Sequence, residues 1–377
     1  MATQVGGPGM AIEEGRQPGA TVPFRRATTF RTNRLQTTTQ AITASQQNVD
    51  EVIEGSGYVY GIDLYVHATT AANAAATAFK EDGPYSAIAS VVLRDVNGEL
   101  VNLSGYHLYL ANIYGGWRRN LPSDSTDSLV YAATTGSGAT GGSFASHLFV
   151  PVGINRRSLL GILGNQDRAQ RYMLRSDIAA SGDIYSTAPT TLPSVSIERT
   201  YENYAVPAGV NAAGQQQEQF PKDFGVLHFL TQSVNPSAPQ GGATVNHYLS
   251  RLGNTIRFLI LVYRSNGSRA TAEANLPTLM QFSLGDTPIF SETPAYRRQL
   301  MFDRYGFDAP DGVFVYDFIT DIIGHASDEL GDDYIWTNGL VNAQFQVTYP
   351  AGFGSTANSL TVITDDMQVP ADVDIYS

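Results

Sequence analysis

Alternation of large apolar side chains with small or polar ones dominates the chain from residue 57 onward. It runs through GYVYGIDLYVHATT (57–70), AIASVVL (87–93) and LVNLSGYHLYLANI (100–113). Because successive side chains of a strand point to opposite faces, this alternation predicts half-buried β-strands. Asn97-Gly98 separates the second and third stretches and predicts a tight hairpin turn. The first half of the chain is therefore predicted to contain a β-meander.

The stretch SGYHLYLANIYGG (104–116) brings a histidine and three tyrosines together, so it could be either a catalytic patch or part of a sheet. Its alternation favours a strand, which would place neighbouring side chains on opposite faces. The two faces would be Tyr106, Leu108 and Leu110 on one side, and His107, Tyr109 and Ala111 on the other. We therefore interpret this stretch as the wall of a sheet.

Similar patterns continue to the end of the chain. Further strands are predicted at 143–154, 194–206, 224–234, 254–268, 311–319 and 340–350. Residues 155–178 have a possible helical spacing that is interrupted by Gly161 and Gly164. The clearest helix is TPAYRRQLMFDRYG (293–306), where Thr293 can cap the first turn, Pro294 occupies the first helical position and Gly306 can supply a left-handed stop.

Size and composition indicate two β-rich modules. The chain has 377 residues, beyond the ~250–300 at which a single hydrophobic core stops growing. Its 36 glycines, 18 prolines and 20 tyrosines, with only 15% charged residues, favour short strands joined by turns. The polar stretch 207–223 is either a module boundary or a long exposed loop. We expect an arm (1–45), a first jelly roll (46–220), and a second jelly roll with a C-terminal tail (221–377).

The absence of cysteine excludes disulfides, thiolate zinc sites, cysteine nucleophiles and iron–sulfur clusters. Stability must then come from packing, strand pairing or oligomerisation. The first residues do not resemble a secretory signal, so we expect folding in a cytoplasm. The most apolar stretch, TIRFLILVYR (255–264), is too short to span a bilayer.

Charge is unevenly distributed along the chain. Residues 1–45 contain five arginines against Glu13 and Glu14, a net charge of +3, so the remainder carries −12 − 3 = −15. Such an acidic body disfavours direct nucleic-acid binding, whereas the basic arm could meet an anionic surface. The segment 34–52, rich in Thr, Gln and Ala, could become helical only with a partner. The alternative is a disordered terminus without a role.

Candidate chemistry is sparse. The chain contains no G-x-S-x-G, H-E-x-x-H, phosphate-binding lysine loop or dinucleotide-binding glycine motif. Its six histidines lie apart (His67, His107, His147, His228, His247, His325) and lack the spacing of a metal pair. GSGATGG (136–142) is best interpreted as a turn. Nine acidic residues between Asp303 and Asp333 form either a solvated face, a calcium site or paired carboxylates for glycoside cleavage.

Several ordered segments together resemble one protein family. EDGPYSAIASVVLRDVNGEL, SGYHLYLAN and LFVPVGI in the first half are followed by HYLSRLGNTIRFLILV, TPAYRRQLMFDRYGFDAPDGVFVYDF and NGLVNAQFQVTY. This series, over about residues 50–350, resembles the double jelly-roll major capsid proteins of tectiviruses, tailless icosahedral phages with an internal membrane. The resemblance implies an all-β fold of two tandem eight-stranded jelly-roll β-sandwiches, with short helical insertions and an extended N-terminal arm.

The resemblance also implies a structural role without catalysis, cofactor, metal or small-molecule substrate. The chain would form a homotrimer, a pseudo-hexagonal capsomer that tiles an icosahedral shell over an internal membrane. Its partners would be neighbouring capsomers, penton proteins, minor membrane-associated virion proteins and lipid headgroups, but not nucleic acid. The protein would be assembled in a host bacterial cytoplasm and reside in the virion.

By the same resemblance, the arm would lie on the inner side of the shell, with a membrane-facing helix confined to residues 33–50. Four arginines then become candidates for contact with lipid phosphates or membrane proteins: Arg25, Arg26, Arg31 and Arg34. If the arm serves assembly only, a chain starting near Val49 should keep its thermal midpoint.

Two other functions are compatible with the sequence. A carbohydrate-binding or carbohydrate-active jelly-roll protein would use the tyrosines and the acidic stretch. A minor viral vertex or spike component would share the β-rich composition and the trimer, but would be present in few copies per particle.

Overall fold

A computed structural model describes most of the chain. The described residues are 21–55, 57–69, 76–117, 130–131, 142–154, 159–167, 171–222, 224–235, 242–269, 275–319, 334–351 and 358–370. Within them, strands are the dominant element. The predicted turn at 136–142, all but its last residue, lies outside this set.

The first half contains thirteen strands among the described residues. They are β1 (Phe30–Arg34), β2 (Thr38–Ala41), β3 (Asp50–Val52), β4 (Gly57–Thr69), β5 (Ala78–Phe79), β6 (Ile88–Arg94), β7 (Glu99–Leu103), β8 (Val130–Tyr131), β9 (Phe144–Pro151), β10 (Leu163–Asn165), β11 (Met173–Ile178), β12 (Tyr185–Thr187) and β13 (Ser194–Tyr204). The helices of this half are α1 (Phe24–Ala27), α2 (Gly105–Tyr114) and α3 (Ser181–Ile184), with a 3₁₀ turn at Tyr85–Ala87.

The second half contains ten strands and one helix among the described residues. The strands are β14 (Leu227–Asn235), β15 (Thr244–Tyr248), β16 (Thr255–Ser265), β17 (Ser268–Arg269), β18 (Leu279–Leu284), β19 (Thr287–Glu292), β20 (Val313–Asp317), β21 (Ile335–Trp336), β22 (Ala343–Thr348) and β23 (Ser359–Gln368). The helix is α4 (Pro294–Tyr305).

Two outer sheets flank one sheet that runs through both halves. The outer sheet of the first half has the order β1-β13-β4-β9-β8, with β10 beside β4 and β2 beside β13. That of the second half has the order β15-β22-β18-β19. The central sheet has the order β17-β16-β23-β14-β7-β6-β11-β3, and β20 and β21 also pair with β16. Each half is thus a two-sheet sandwich, as expected for a jelly roll.

The two halves are joined where β7 and β14 pair in parallel, with Leu230 opposite Val101 and Thr231 opposite Asn102. The main hydrophobic cluster also crosses this join, since it contains Leu108 of α2 together with Phe258 and Ile260 of β16. A second cluster, around Phe282 and Phe345, fills the second sandwich. The predicted boundary between 220 and 221 falls in the connection from β13 to β14 and stays a prediction.

Several predicted elements are confirmed. Asn97-Gly98 connects β6 and β7, and the Asp95 carboxylate accepts the backbone N–H groups of both residues, at 2.7 and 2.8 Å. In α4, the Thr293 hydroxyl accepts the N–H of Tyr296, Pro294 opens the helix, and Gly306 ends it at φ 74°. That left-handed conformation favours glycine, as predicted.

The prediction of a strand at 104–116 is wrong, because residues 105–114 form helix α2. All ten of its residues are buried, so the helix lacks the polar stripe that would reveal a period of 3.6. A signal was nevertheless present: Ser104 accepts the N–H of His107 at 3.2 Å as an N-cap.

The helical spacing considered for 155–178 is also not realised among the described residues, where β10 and β11 form instead. The arm differs from its prediction as well. β1 and β2 both pair with β13, and no helix occupies 33–50. Leu35, Ile42 and Val49 are buried in the main hydrophobic cluster. We therefore expect a chain starting near Val49 to lose stability, contrary to the sequence-based expectation.

Candidate functional site

The junction between the two sandwiches is organised around α2. Its last residue, Tyr114, packs edge-on against Tyr305 of α4 with ring centroids 4.9 Å apart, and against Phe307 at 5.8 Å. The carbonyl of Gly115, at the helix end, accepts a hydrogen bond from Arg257 of β16 at 2.9 Å. Because a helix end leaves carbonyls without intrahelical partners, this guanidinium completes α2 from the second half.

A buried charge cluster lies at the same place. Arg257 Nη1 is 3.2 Å from Asp365 Oδ2 on β23, and His228 Nε2 of β14 is also 3.2 Å from that oxygen. All three side chains are fully buried. The other ring nitrogen of His228 lies 3.1 Å from the carbonyl of Val152, in the first half. We call the three side chains the junction cluster.

Trp117 covers the junction cluster from the first half. The Arg257 guanidinium lies 4.7 Å from the centre of its ring, and the His228 ring centroid lies 5.6 Å from it. Cation–π attraction adds to the ion pair when both groups are shielded from water. The cluster therefore takes partners from both halves of the chain and holds them together.

Asp366, the neighbour of Asp365 on β23, forms a second buried contact. Its carboxylate accepts hydrogen bonds from Arg251 and Asn254. Burial, opposed by the Arg251 charge, raises the pKa of Asp366 to about 6. Two adjacent aspartates within the apolar stretch SLTVITDDMQV (359–369) were the sequence signal for this region, since buried charges require partners.

A second set of ion pairs connects the first half of the chain to the second. Arg269 Nε is 3.2 Å from Asp82 Oδ1, and Arg264 is paired with the same carboxylate and with Glu81. Glu81 and Asp82 belong to the first half, and the arginines to the β16–β17 hairpin of the second. The Arg269 guanidinium also lies 5.3 Å from the centre of the Tyr106 ring of α2.

This arrangement suits a mechanical role. The carboxylate, imidazole and guanidinium are fully buried and are held by one another, whereas the same groups in an open cleft would be candidates for chemistry. Breaking one partner would leave an uncompensated buried charge. The junction cluster is thus connected to the first half through Gly115, Val152 and Trp117.

Among the described histidines, His67 and His147 both pack on the ring of Tyr65, with centroids 5.2 and 6.3 Å from it, and the others lie elsewhere. His107 of α2 is 2.5 Å from the Gln232 side chain, and burial lowers its pKa to about 4. His147 pairs with Asp63 at 3.2 Å, and His247 contacts the Tyr349 hydroxyl at 3.2 Å. His325 lies outside the described residues. Within the described part of the chain, no three His, Asp or Glu side chains come together as a metal site would require.

The acidic stretch is described only in part, because residues 320–333 lie outside the description. Of the rest, Asp311 pairs with Arg298 at 3.7 Å and Asp317 pairs with Arg304 at 2.8 Å. Asp303 accepts a hydrogen bond from Gln299. Asp303 is part of α4, and Asp311 and Asp317 follow it in the chain. Each of the three carboxylates has a partner on that helix.

The four candidate arginines lie on two neighbouring segments. Arg25 and Arg26 are exposed on α1, and Arg31 and Arg34 are exposed on β1. Arg34 is 3.4 Å from Glu198 of β13. The structure therefore brings all four to the first sandwich, on a segment that pairs with its own chain.

Phe24 anchors this segment. It is buried with its ring edge-on to Tyr58 at 5.2 Å, and its backbone N–H donates to the Glu218 carboxylate at 2.9 Å. Val22 exchanges backbone hydrogen bonds with Gln216 and Glu218. The segment 21–27 is thereby fixed to the connection between the two halves.

Comparison with solved structures identifies the architecture. The major capsid protein of Sulfolobus Turreted Icosahedral Virus superposes with a TM-score of 0.64 at 14% identity, over 92% of this chain and 100% of that one. The chain has the double jelly-roll fold. The PBCV-1 virus capsid protein matches with a TM-score of 0.61 at 13% identity, over 91% and 95% of the two chains.

The major capsid protein P2 from Bacteriophage PM2 matches this double jelly roll more distantly, with a TM-score of 0.51 at 10% identity over 91% and 99% of the chains. No protein-family model and no curated sequence matches the chain. Among the residues described, the double jelly roll contains no helix with the length and apolar character needed to cross a bilayer.

Proposed function

We propose that this double jelly-roll protein is the major capsid protein of an icosahedral virus. The observation that supports this most is the extent of the match: both sandwiches and the join between them superpose on viral capsid proteins over almost the whole of both chains. At 10–15% identity this likeness concerns the fold, and the function follows as our inference.

The junction cluster supports the same proposal on physical grounds. A capsid subunit must keep its shape when it packs against neighbouring subunits, so its two sandwiches have to keep one relative orientation. The buried Arg257–Asp365–His228 set lies in the second half, and the hydrogen bond of Arg257 to Gly115 and the contact of His228 with the Val152 carbonyl connect it to the first half, which favours a single geometry. Three tiles in a ring would present six sandwiches, giving a pseudo-hexagonal trimeric capsomer.

The remaining parts of the proposal follow the resemblance to tectivirus capsid proteins. The capsomers would tile a shell over an internal membrane and contact one another, penton proteins and minor membrane-associated proteins. Arg25, Arg26, Arg31 and Arg34 would face lipid headgroups or membrane proteins. Assembly would take place in the host bacterial cytoplasm, and the chain would carry no catalytic step or cofactor.

The solution mass of the purified chain tests the proposal directly. Light scattering is expected to give three times the chain mass, and projection images of the same peak should show a six-sided outline. A monomer or a dimer at all concentrations would overturn the capsomer.

Copy number separates a shell protein from a spike or vertex protein. On a stained gel of purified virions, this chain is expected to be the most abundant protein. A faint band from intact particles would exclude the major capsid role and favour the minor component.

A further inference from the structure

The connection between the two sandwiches carries an unusual exposed surface. Phe220 is 56% exposed and Phe224 is 40% exposed, and their rings are adjacent, with centroids 5.8 Å apart. Large aromatic side chains exposed side by side on a protein surface mark an interaction site more often than isolated ones do. Neither residue belongs to the motifs on which the proposed function rests.

The segment that carries two exposed arginines is attached to the same connection. Arg25 and Arg26 are exposed on α1, which follows Val22, and Val22 is hydrogen-bonded to Gln216 and Glu218 in the same connection. Residues 21–49 contain four arginines and no acidic residue. We call Phe220, Phe224, Arg25 and Arg26 the linker platform.

The linker platform is held rigidly from below. The Tyr58 hydroxyl donates to the carbonyl of Gln219 at 2.7 Å, and the ring of Tyr58 contacts both Phe24 at 5.2 Å and Phe224 at 5.6 Å. One buried tyrosine of β4 thus supports the aromatic and the basic parts together. The Phe224 ring also lies against Gly164 of β10, where an added Cβ would meet it at 3.0 Å, so this ring rests on the outer sheet and is still 40% exposed.

Both described ends of the chain reach this place. Val22 pairs with Gln217, and Pro370, after β23, lies beside Gly225. The beginning, the middle connection and the end of the described chain therefore lie close together, and we call this place the linker end of the molecule. That end carries the basic segment, whereas the chain outside residues 1–45 has a net charge of −15.

We propose that the linker platform is a membrane-docking surface that inserts Phe220 and Phe224 into the interface of an anionic lipid bilayer. Exposed aromatic rings beside arginines match the two layers of such an interface, the acyl boundary and the headgroup phosphates. The acidic remainder of the chain is repelled by the same surface, which orients the molecule with this end inward. The inference rests on the proposed function for its setting, and adds that the interdomain connection, and not only the N-terminal arginines, makes the contact.

Flotation of the full-length protein with vesicles tests the proposal. Vesicles of phosphatidylglycerol and phosphatidylcholine are compared with pure phosphatidylcholine, at 0.1 M and 0.5 M salt. The wild type is expected to float with the anionic vesicles. Arg25→Gln with Arg26→Gln should weaken this binding about tenfold or more at the lower salt, because each basic residue contributes to attraction by the surface potential.

The aromatic pair gives a different signature. Phe220→Ser with Phe224→Ser should lose the binding that persists at 0.5 M salt, since apolar insertion is not screened by ions. Phe220→Ser alone, which leaves the Phe224–Tyr58 contact intact, should lose part of it. The matched control is Tyr296→Ser with Phe302→Ser on α4, whose side chains are 57% and 45% exposed, and it should bind like the wild type.

Wild-type protein that floats with neither vesicle, or platform and α4 variants that float equally, would overturn the docking surface. Platform variants that bind vesicles normally but no longer associate with one another would instead make the platform a protein contact, and would also overturn the proposal. The mass of each variant is measured on the same samples. A trimer that ignores vesicles contradicts only this inference, whereas a monomer contradicts the proposed function.

Discussion

Helices α2 and α4 have similar lengths and the same kind of N-terminal cap, yet they lie in opposite environments. All ten residues of α2 are buried, mainly against β6, β7 and β9 of the first half, whereas α4 buries only Pro294, Arg297 and Met301. The sequence predicted α4 and mistook α2 for a strand. The difference shows that a hydrophobic pattern reports the boundary with water more directly than it reports the backbone conformation.

The largest expected difference in stability is between the arginine that contacts the end of α2, Arg257 of β16, and an arginine of α4, Arg298. Arg257→Met leaves Asp365 buried without its guanidinium and frees the Gly115 carbonyl at the end of α2. We expect a loss of about 3–5 kcal/mol in the free energy of unfolding, measured by urea denaturation. Arg298→Met removes the half-exposed pair with Asp311 on α4, which should cost less than about 1 kcal/mol. Equal losses would show that the junction cluster does not stabilise the fold.

Truncating a leucine on each helix compares their packing. Leu110→Ala in α2 should lower the free energy of unfolding by about 2–5 kcal/mol, because the cavity lies in a fully enclosed core. Leu300 of α4 is half-buried, so Leu300→Ala should lower the free energy of unfolding by only about 1 kcal/mol. Denaturation midpoints of the two variants at equal protein concentration check this. A small effect at Leu110 would mean that α2 can repack.

His107 should make the α2 region sensitive to acid. Burial lowers its pKa from 6.5 to about 4, so between these values the unfolded chain binds a proton that the folded chain does not. Its contribution therefore falls by up to about 3 kcal/mol as the pH drops from 6.5 to 4. Unfolding free energies of the wild type and His107→Gln across this range measure it as a difference.

Asp366 changes stability with pH in the opposite direction to His107. Because Asp366 is present in both the wild type and His107→Gln, its contribution cancels in the difference between them. Its pKa is raised to about 6, so its protonated form is favoured in the fold and its contribution is lost as the pH rises through 6. Identical pH profiles for the wild type and His107→Gln would contradict a buried neutral imidazole.

The caps should show the smallest effects and no difference between the helices. Ser104→Ala and Thr293→Ala each remove an oxygen that accepts an N–H of the first turn, at 3.2 and 3.3 Å. Each should cost about 1 kcal/mol, measured by thermal or urea unfolding. A much larger loss at Ser104 would show that its cap also supports the surrounding junction.

The arm illustrates a second limit of sequence reasoning. Its composition of Thr, Gln and Ala indicated a detached segment, but β1 and β2 are strands because β13 offers an edge with which they pair. Strand formation at such a segment depends on a partner about 160 residues away in sequence, as in the pairing of Thr38 with Ile197. Phe24, Leu35 and Ile42 were the few apolar side chains that could have indicated it.

The sequence by itself determined the β-rich class, the hairpin at Asn97-Gly98, the limits of α4 and the contrast between a basic N-terminal segment and an acidic body. These depend on neighbouring residues or on simple sums of charge. Only the tertiary structure decided that 105–114 is a helix, that β7 and β14 join the sandwiches, and that Arg257, His228 and Asp365 meet. The reason is that burial and ion pairing depend on which distant segments come together, and one-dimensional spacing does not contain that information.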